Sequence, residues 1–279
     1  MNVFMALMDY LIIFRPIELP LEGVTGIAIA YVMSEAFGLI MILCFLIKTP
    51  LELNFKEKNL YTLKIVKNIL RVGIPGGISS ISYNVSQVVS TSIIAILGTA
   101  AISTKIYVSN IVFYVYVFGM TLGISSSLMI GWMSGAKKYD QAYRLNLQNL
   151  KITITSNILL SVLIFLFAEP LLGCFTDDPA IISMGKTLML IDILVEIGRG
   201  FNHIEENSLR GAGDVVYPMV VSIISCWTMS ILFSYLLGIK LGLGLAGCWI
   251  AFGMDEFFRG IAYLRRWQSR KWTRKTVSH

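Results

Sequence analysis

The stretch IISMGKTLMLIDILVEIGRGFNHIEEN, Ile181 to Asn207, decides how this chain is read. Asp192, Glu196, Arg199, His203 and Glu206 follow one another at spacings of four, three, four and three, which puts them on one face of a helix. Around them stand Ile191, Ile193, Leu194, Val195, Ile197, Gly198 and Phe201, the neighbours of a membrane span. Charges at bilayer depth cost several kcal/mol each and must face a protein interior or a water-filled cavity. An apolar helix with such a stripe points to a pathway for ions or solutes.

The rest of the chain agrees with a membrane setting. Its 279 residues are 56% hydrophobic and 14% charged, with a mean hydropathy of +0.72, whereas a soluble domain carries about a quarter charged residues. The net charge of +6 sits between apolar runs, where it sets orientation, so no nucleic-acid partner is expected. Cys44, Cys174, Cys226 and Cys248 have no CxxC spacing and read as small hydrophobes. His203 and His279 are too few for a zinc site, and no metal is expected. Met1 to Phe14 lacks a basic leader and a small-residue cleavage site, so it is not a signal peptide.

Seven apolar segments are long enough to span: Gly23–Leu46, Ile69–Leu97, Ile106–Trp132, Ile152–Phe167, Ile181–Asn207, Tyr217–Leu237 and Gly244–Leu264, with Met1–Phe14 as a short eighth. They are continuously apolar, which makes them helices rather than barrel strands. One set of connections holds Lys48, Lys56, Lys58, Lys64, Lys67 and Arg71, then Lys137, Lys138, Arg144 and Lys151, then Arg210, then the basic tail; the alternate set holds only Arg15, Lys105 and Lys240. The positive-inside rule puts the first set, and both termini, in the cytoplasm. Asp178 and Pro179 predict a capped start for the charged helix, and Gly211 and Gly213 its end, with Asp214 capping the next. Gly73, Pro75, Gly76 and Gly77 predict close helix packing or a bend.

An internal repeat runs through the chain. GVTGIAIAYVMSEAFGLI (Gly23–Ile40) aligns without gaps on GLAGCWIAFGMDEFFRGI (Gly244–Ile261), with eight identities in eighteen positions, Glu35 against Glu256 among them. Both copies are expected to run in the same direction through the membrane, as a parallel repeat. Six spans fill the second copy, while the first shows only its last two, so a full architecture predicts about four further spans before Met1.

Two motifs then carry a family resemblance: LRGAGD (Leu209–Asp214) with Pro218, and GWMSGAKKYDQA (Gly131–Ala142). The chain resembles the multidrug and toxic compound extrusion (MATE) family of secondary transporters. The resemblance implies an all-α, polytopic helix bundle of two six-helix lobes, exporting small organic cations in exchange for protons or sodium ions. Here it implies that 1–47 are the last two helices of a first lobe, 48–68 a cytoplasmic linker, 69–266 a complete second lobe and 267–279 a basic tail. Some members place an essential acid on a first helix that this sequence does not contain. Others use the helix matching Ile69–Leu97, which offers only Ser82, Asn84 and Gln87 as polar cavity-lining candidates.

Asp192 and Glu196 are therefore the leading candidates for proton or cation binding, with Arg199 biasing their charge; the alternative is a structural Glu196–Arg199 pair. Asp255, Glu256 and Arg259 repeat the pattern on the last span, and Glu35 is the repeat partner of Glu256. Asn202 joins the cavity-lining candidates. His203, Glu205 and Glu206 are expected at a solvated helix end. Tyr83, Tyr107, Phe113, Tyr114, Tyr116 and Phe118 offer rings for flat cations or for packing. The expected protein is a multi-pass antiporter of the cell membrane, without cofactor or enzymatic motif. Its expected partners are cationic substrates, lipids and a missing first lobe or second chain, without which it should move no substrate. A lipid or polysaccharide flippase and a non-transporting fragment or subunit are the alternatives.

Overall fold

The structure, a computed structural model, describes residues 2–14, 23–48 and 63–274, and every regular element among them is helical. In chain order these are α1 (Asn2–Phe14), α2 (Gly23–Lys48), α3 (Leu63–Ala95), α4 (Thr99–Gly135), α5 (Tyr139–Leu166), the short α6 (Ala168–Gly173), α7 (Pro179–Gly211), α8 (Val216–Ser225) and α9 (Gly244–Gln268). α8 continues as two wider π-helical stretches, Cys226–Leu232 and Ser234–Lys240, and a 3-10 turn, Lys271–Arg274, follows α9. The chain divides into two compact units, 1–62 and 63–279. Residues 15–22, 49–62 and 275–279, on which part of the charge alternation rests, lie outside the described residues.

Among the described residues four helices are long and apolar enough to cross a membrane, namely Thr25–Lys48, Thr99–Gly135, Tyr139–Leu166 and the continuous Val216–Lys240. α7 and α9 fall short of that measure because they carry the ionisable residues. α3 falls short through its glycines, serines, Asn84 and Gln87. Several helices are longer than their apolar segments. α3 starts at Leu63, inside the span taken for a linker, and α5 starts thirteen residues ahead of Ile152, at Tyr139 (152 − 139 = 13). Hydrophobicity marks the part of a helix that meets lipid, while hydrogen bonding carries the helix on into polar surroundings.

In the larger unit α7 is the central element, packed against α4, α5 and α9. One apolar core joins Ile94, Val108, Val112, Leu172, Leu188, Met189, Val195 and Trp249. A second, at the other end of α7, joins Ile130, Leu209, Tyr263, Trp267 and Trp272. α7 begins as expected, with the Asp178 carboxylate accepting from the Ala180 N–H at 2.8 Å and Pro179 in the first turn. Its end departs from expectation in one respect. Gly213 turns the chain at φ 89°, but Asp214 caps nothing; it accepts instead from Arg266 Nε at 2.7 Å.

The α4–α7 crossing is close because Gly211 has no side chain: a Cβ there would stand 2.3 Å from the Ser127 carbonyl oxygen. Gly73, Gly76 and Gly77 behave otherwise, since nothing lies within 4 Å of a Cβ built on any of them. They do not mark helix packing within the described residues, and α3 runs through Pro75. The basic tail is also less free than its composition suggests. Trp272 is buried, stacked on Trp267 at 4.3 Å, and Arg270 reaches Asp140 at 2.7 Å. Aromatic area outweighs the charge of the neighbouring lysine and arginines.

In the smaller unit α2 buries Gly26, Ala30 and Ser34, one position per turn. The aligned residues of α9, Gly247, Ala251 and Asp255, are buried too. Both helices start at the aligned glycine, so Glu35 and Glu256 hold the same position along them. Glu35 is exposed in its unit, whereas Glu256 is buried.

Candidate functional site: a buried acid cluster beside two cavities

α7 and α9 place their charged residues against one another. Gly198 lets the two helices approach there, since a Cβ on it would lie 3.0 Å from the Phe257 N and 3.2 Å from the Glu256 Cβ. The result is one buried network. Arg199 pairs with Glu196 on its own helix and stands 3.9 Å from Glu256 across the interface. Arg259 grips Asp255 through Nη2 at 2.7 Å and Nε at 3.2 Å, and the same Nη2 reaches Glu256 at 3.1 Å. Glu256 thus joins the two arginines, which answers how the helices are coupled. Asp192, Glu196, Asp255 and Arg259 are each less than 5% exposed.

Uncharged donors from four elements complete the network. Trp249 Nε1 of α9 donates to Asp192 at 2.9 Å, and Asn157 of α5 donates to both the side chain and the carbonyl of Glu196 at 3.1 Å. Asn202 donates to Glu256 at 2.6 Å, and the Ser225 hydroxyl at the end of α8 to Asp255 at 2.5 Å. Each carboxyl therefore holds at least one neutral hydrogen bond in addition to any cationic partner, which buried charges require. The balance is uneven, with four carboxyls set against two guanidiniums.

Two cavities adjoin the cluster. The first, about 240 Å³, is lined by Tyr83, Gln87, Lys105, Tyr116, Arg199, Trp249, Asp255 and Glu256 among others. The second, about 490 Å³, takes in Ser79, Asn84, Tyr83, Tyr116, Asn202, His203, Glu206, Arg210, Glu256 and Arg259. Tyr83, Tyr116 and Glu256 belong to both and stand between them. The Arg199 guanidinium lies over the Tyr116 ring at 4.6 Å, and His203 stacks on the same ring at 5.9 Å.

The structure brings together Asp192, Glu196, Arg199, Asp255, Glu256 and Arg259, and places Asn84, Gln87 and Asn202 on cavity walls. Ser82 is not a wall residue; it accepts from Trp227 Nε1 at 3.1 Å. Asn84 donates to the Ser80 carbonyl on its own helix, so it forms no interhelical bond there. Glu35 lies in the other unit. Of the six aromatic candidates, Tyr83 and Tyr116 reach both cavities, Tyr107 packs on Phe175 at 5.2 Å, and Phe113, Tyr114 and Phe118 are exposed. The expectation of a solvated end at His203, Glu205 and Glu206 fails for Glu205, which is fully buried because it sits on the side of α7 turned toward α5 and α9. Sequence reasoning missed Asn157, Ser225, Trp249 and Lys105. Asn157 alone had a signal, as one of several polar residues spaced along α5.

Long apolar helices around a charged, cavity-lined centre define a multi-pass membrane protein of the all-α class. The family model described as MatE matches residues 75–236, and the chain belongs to that family. Among its relatives, the "Uncharacterized transporter YisQ" of Bacillus subtilis (strain 168) is 36% identical over 280 residues, covering 100% of this chain and 61% of its own length. A "Probable multidrug resistance protein NorM" of Thermotoga maritima is 28% identical over 99% of this chain and 59% of its own. A solved outward-facing multidrug resistance MATE family transporter of the MOP superfamily superposes with a TM-score of 0.86 at 19% identity, over 96% of this chain and 60% of that one. The chain thus spans about 60% of the length of these relatives.

Proposed function

We propose that this chain supplies the ion-coupling half of an antiporter that exports small organic cations in exchange for protons or sodium ions across the cell membrane. The observation that carries this reading is the imbalance of the buried cluster. Four carboxyls share two guanidiniums in surroundings where uncompensated charge is costly, so positive charge, as protons or as a bound cation, must enter and leave with them. Asp192 and Glu196 are the exchanging groups in this reading, because only Arg199 serves both, while Arg259 holds Asp255 on two sides. Tyr83 and Tyr116 offer ring faces to an organic cation where the cavities meet. An acidic centre also favours cationic over phosphorylated cargo, which speaks against the flippase alternative. We place the Lys137, Arg210 and C-terminal ends in the cytoplasm, on the distribution of basic residues.

The test is a graft. Residues 1–279 replace the matching region of the Thermotoga maritima relative, and the chimera is reconstituted in liposomes with an imposed proton or sodium gradient and a fluorescent organic cation. Gradient-driven dye movement is expected in the chimera. Its loss is expected with Asp192→Asn or Glu196→Gln, at unchanged helical content by circular dichroism. Wild-type transport in both variants would return the two acids to a structural role and sink the reading.

A further inference from the structure

Glu205 lies outside the acid cluster and the cavities, and it is the more unusual carboxyl. It is fully buried, and neither of its oxygens has a hydrogen-bond partner among the described residues. No charged side chain among the described residues is its partner. On α7, Glu206 and Arg210 pair with each other at 2.5 Å. On α9, Arg259 is taken by Asp255 and Glu256, and the Tyr263 hydroxyl donates to the Pro218 carbonyl at 3.0 Å. α4 carries no ionisable side chain between Val117 and Gly135. From α5 comes Asn146, whose side chain lies against the Glu205 carboxyl without closing a hydrogen bond to it.

The bonding of Asn146 shows what is lacking. Its Nδ2 donates to Ser208 Oγ at 2.9 Å, which leaves its Oδ1, an acceptor, buried and unmatched. An ionised Glu205 brings no donor to this pocket, and a buried carboxylate without a partner costs several kcal/mol. One hydrogen repairs both faults, since a protonated Glu205 donates its O–H to Asn146 Oδ1.

The pair also terminates a row. Asn146, Asn149, Thr153, Asn157 and Ser161 occupy successive turns of α5, and all are buried. Asn149 donates to Ser126 at 2.6 Å, and Asn157 to Glu196 at 3.1 Å. From Asn146 to Asn157 the row covers about 16 Å of helix. It leads from Glu205 to the acid cluster along α5, whose Thr153 and Asn157 lie against Gly200 of α7. Thr153 Oγ1 and Asn157 Oδ1, like Asn146 Oδ1, have unused capacity.

We propose that Glu205 is a proton-binding site of its own, holding its proton against the Asn146 amide oxygen at the end of this polar row. It deepens the antiporter reading by placing a second exchangeable proton behind α7, yet its test needs no transport. Infrared difference spectra of the purified 279-residue chain in lipid are recorded from acid to alkaline pH for wild type, E205Q and E196Q. The expected result is a protonated-carboxyl component that persists at neutral pH, survives in E196Q and is missing from E205Q, apart from any band the cluster acids contribute. Asn146→Val should move that component to the higher frequency of an acid without an acceptor. Should E205Q fail to fold, carbon-13 labelling of the glutamates in E196Q must shift the component, whatever band the aspartates contribute. An E205Q spectrum equal to that of wild type, no band at neutral pH, or loss of the Glu205 component on adding sodium ions would overturn the proposal. Failure of the Asp192 and Glu196 transport test would leave it standing.

Discussion

Replacing Arg259 by methionine is expected to cost about 3–5 kcal/mol of stability, the usual penalty for stranding a buried ionic partner. Three bonds are lost at once: two to Asp255 and one to Glu256. Asp255 keeps its Ser225 hydroxyl, and Glu256 keeps Asn202, with Arg199 at 3.9 Å, so neither is left bare but both are left with excess charge. The loss should show as a lower melting temperature of the purified chain in detergent. Adding Asp255→Asn to the same background should recover part of it, because the second change removes the stranded charge rather than a partner. If the single variant melts with wild type, Arg259 is not what neutralises the α9 acids.

The second large effect lies at a glycine. Gly211→Ala puts a methyl group 2.3 Å from the Ser127 carbonyl oxygen and 2.8 Å from its Cα, where both obstacles are backbone and no rotamer relieves them. α4 and α7 must then separate, at a cost of about 1–3 kcal/mol. Gly73→Ala, Gly76→Ala and Gly77→Ala meet nothing within 4 Å and should be neutral or slightly stabilising in the same assay, as alanine favours helix. Equal melting of all four variants would mean that the α4–α7 crossing is looser than described.

These two glycine sites show where sequence reading succeeds and where it stops. Glycines announce a backbone need without saying whether it is contact or flexibility, and at Gly73, Gly76 and Gly77 no described residue supplies the contact. Intramembrane charges are more legible: their desolvation cost leaves few acceptable surroundings, so the stripe on α7 could be assigned to an interior from spacing alone, while its meeting with the triad on α9 could not. What spacing could not supply was the neutral half of the network. Asn157, Trp249 and Ser225 are ordinary residues for a helix, and only packing aims them at Glu196, Asp192 and Asp255. Glu205 was misplaced because a helix wheel gives its angle but not which neighbour occupies that angle. The tail was read from its charge, although Trp267 and Trp272 decide its fate.

The uneven ratio of acids to arginines has an electrical side. A cluster with two more carboxyls than guanidiniums is restored to neutrality by two protons, by a doubly charged cargo, or by one proton and one singly charged cargo. Each net charge carried across a bilayer is worth about 2.3 kcal/mol per 100 mV. Two protons exchanged for one monovalent cation would therefore draw on membrane voltage as well as on pH, so a potassium–valinomycin clamp should change the rate for that cargo. For a divalent cargo the same clamp should change nothing.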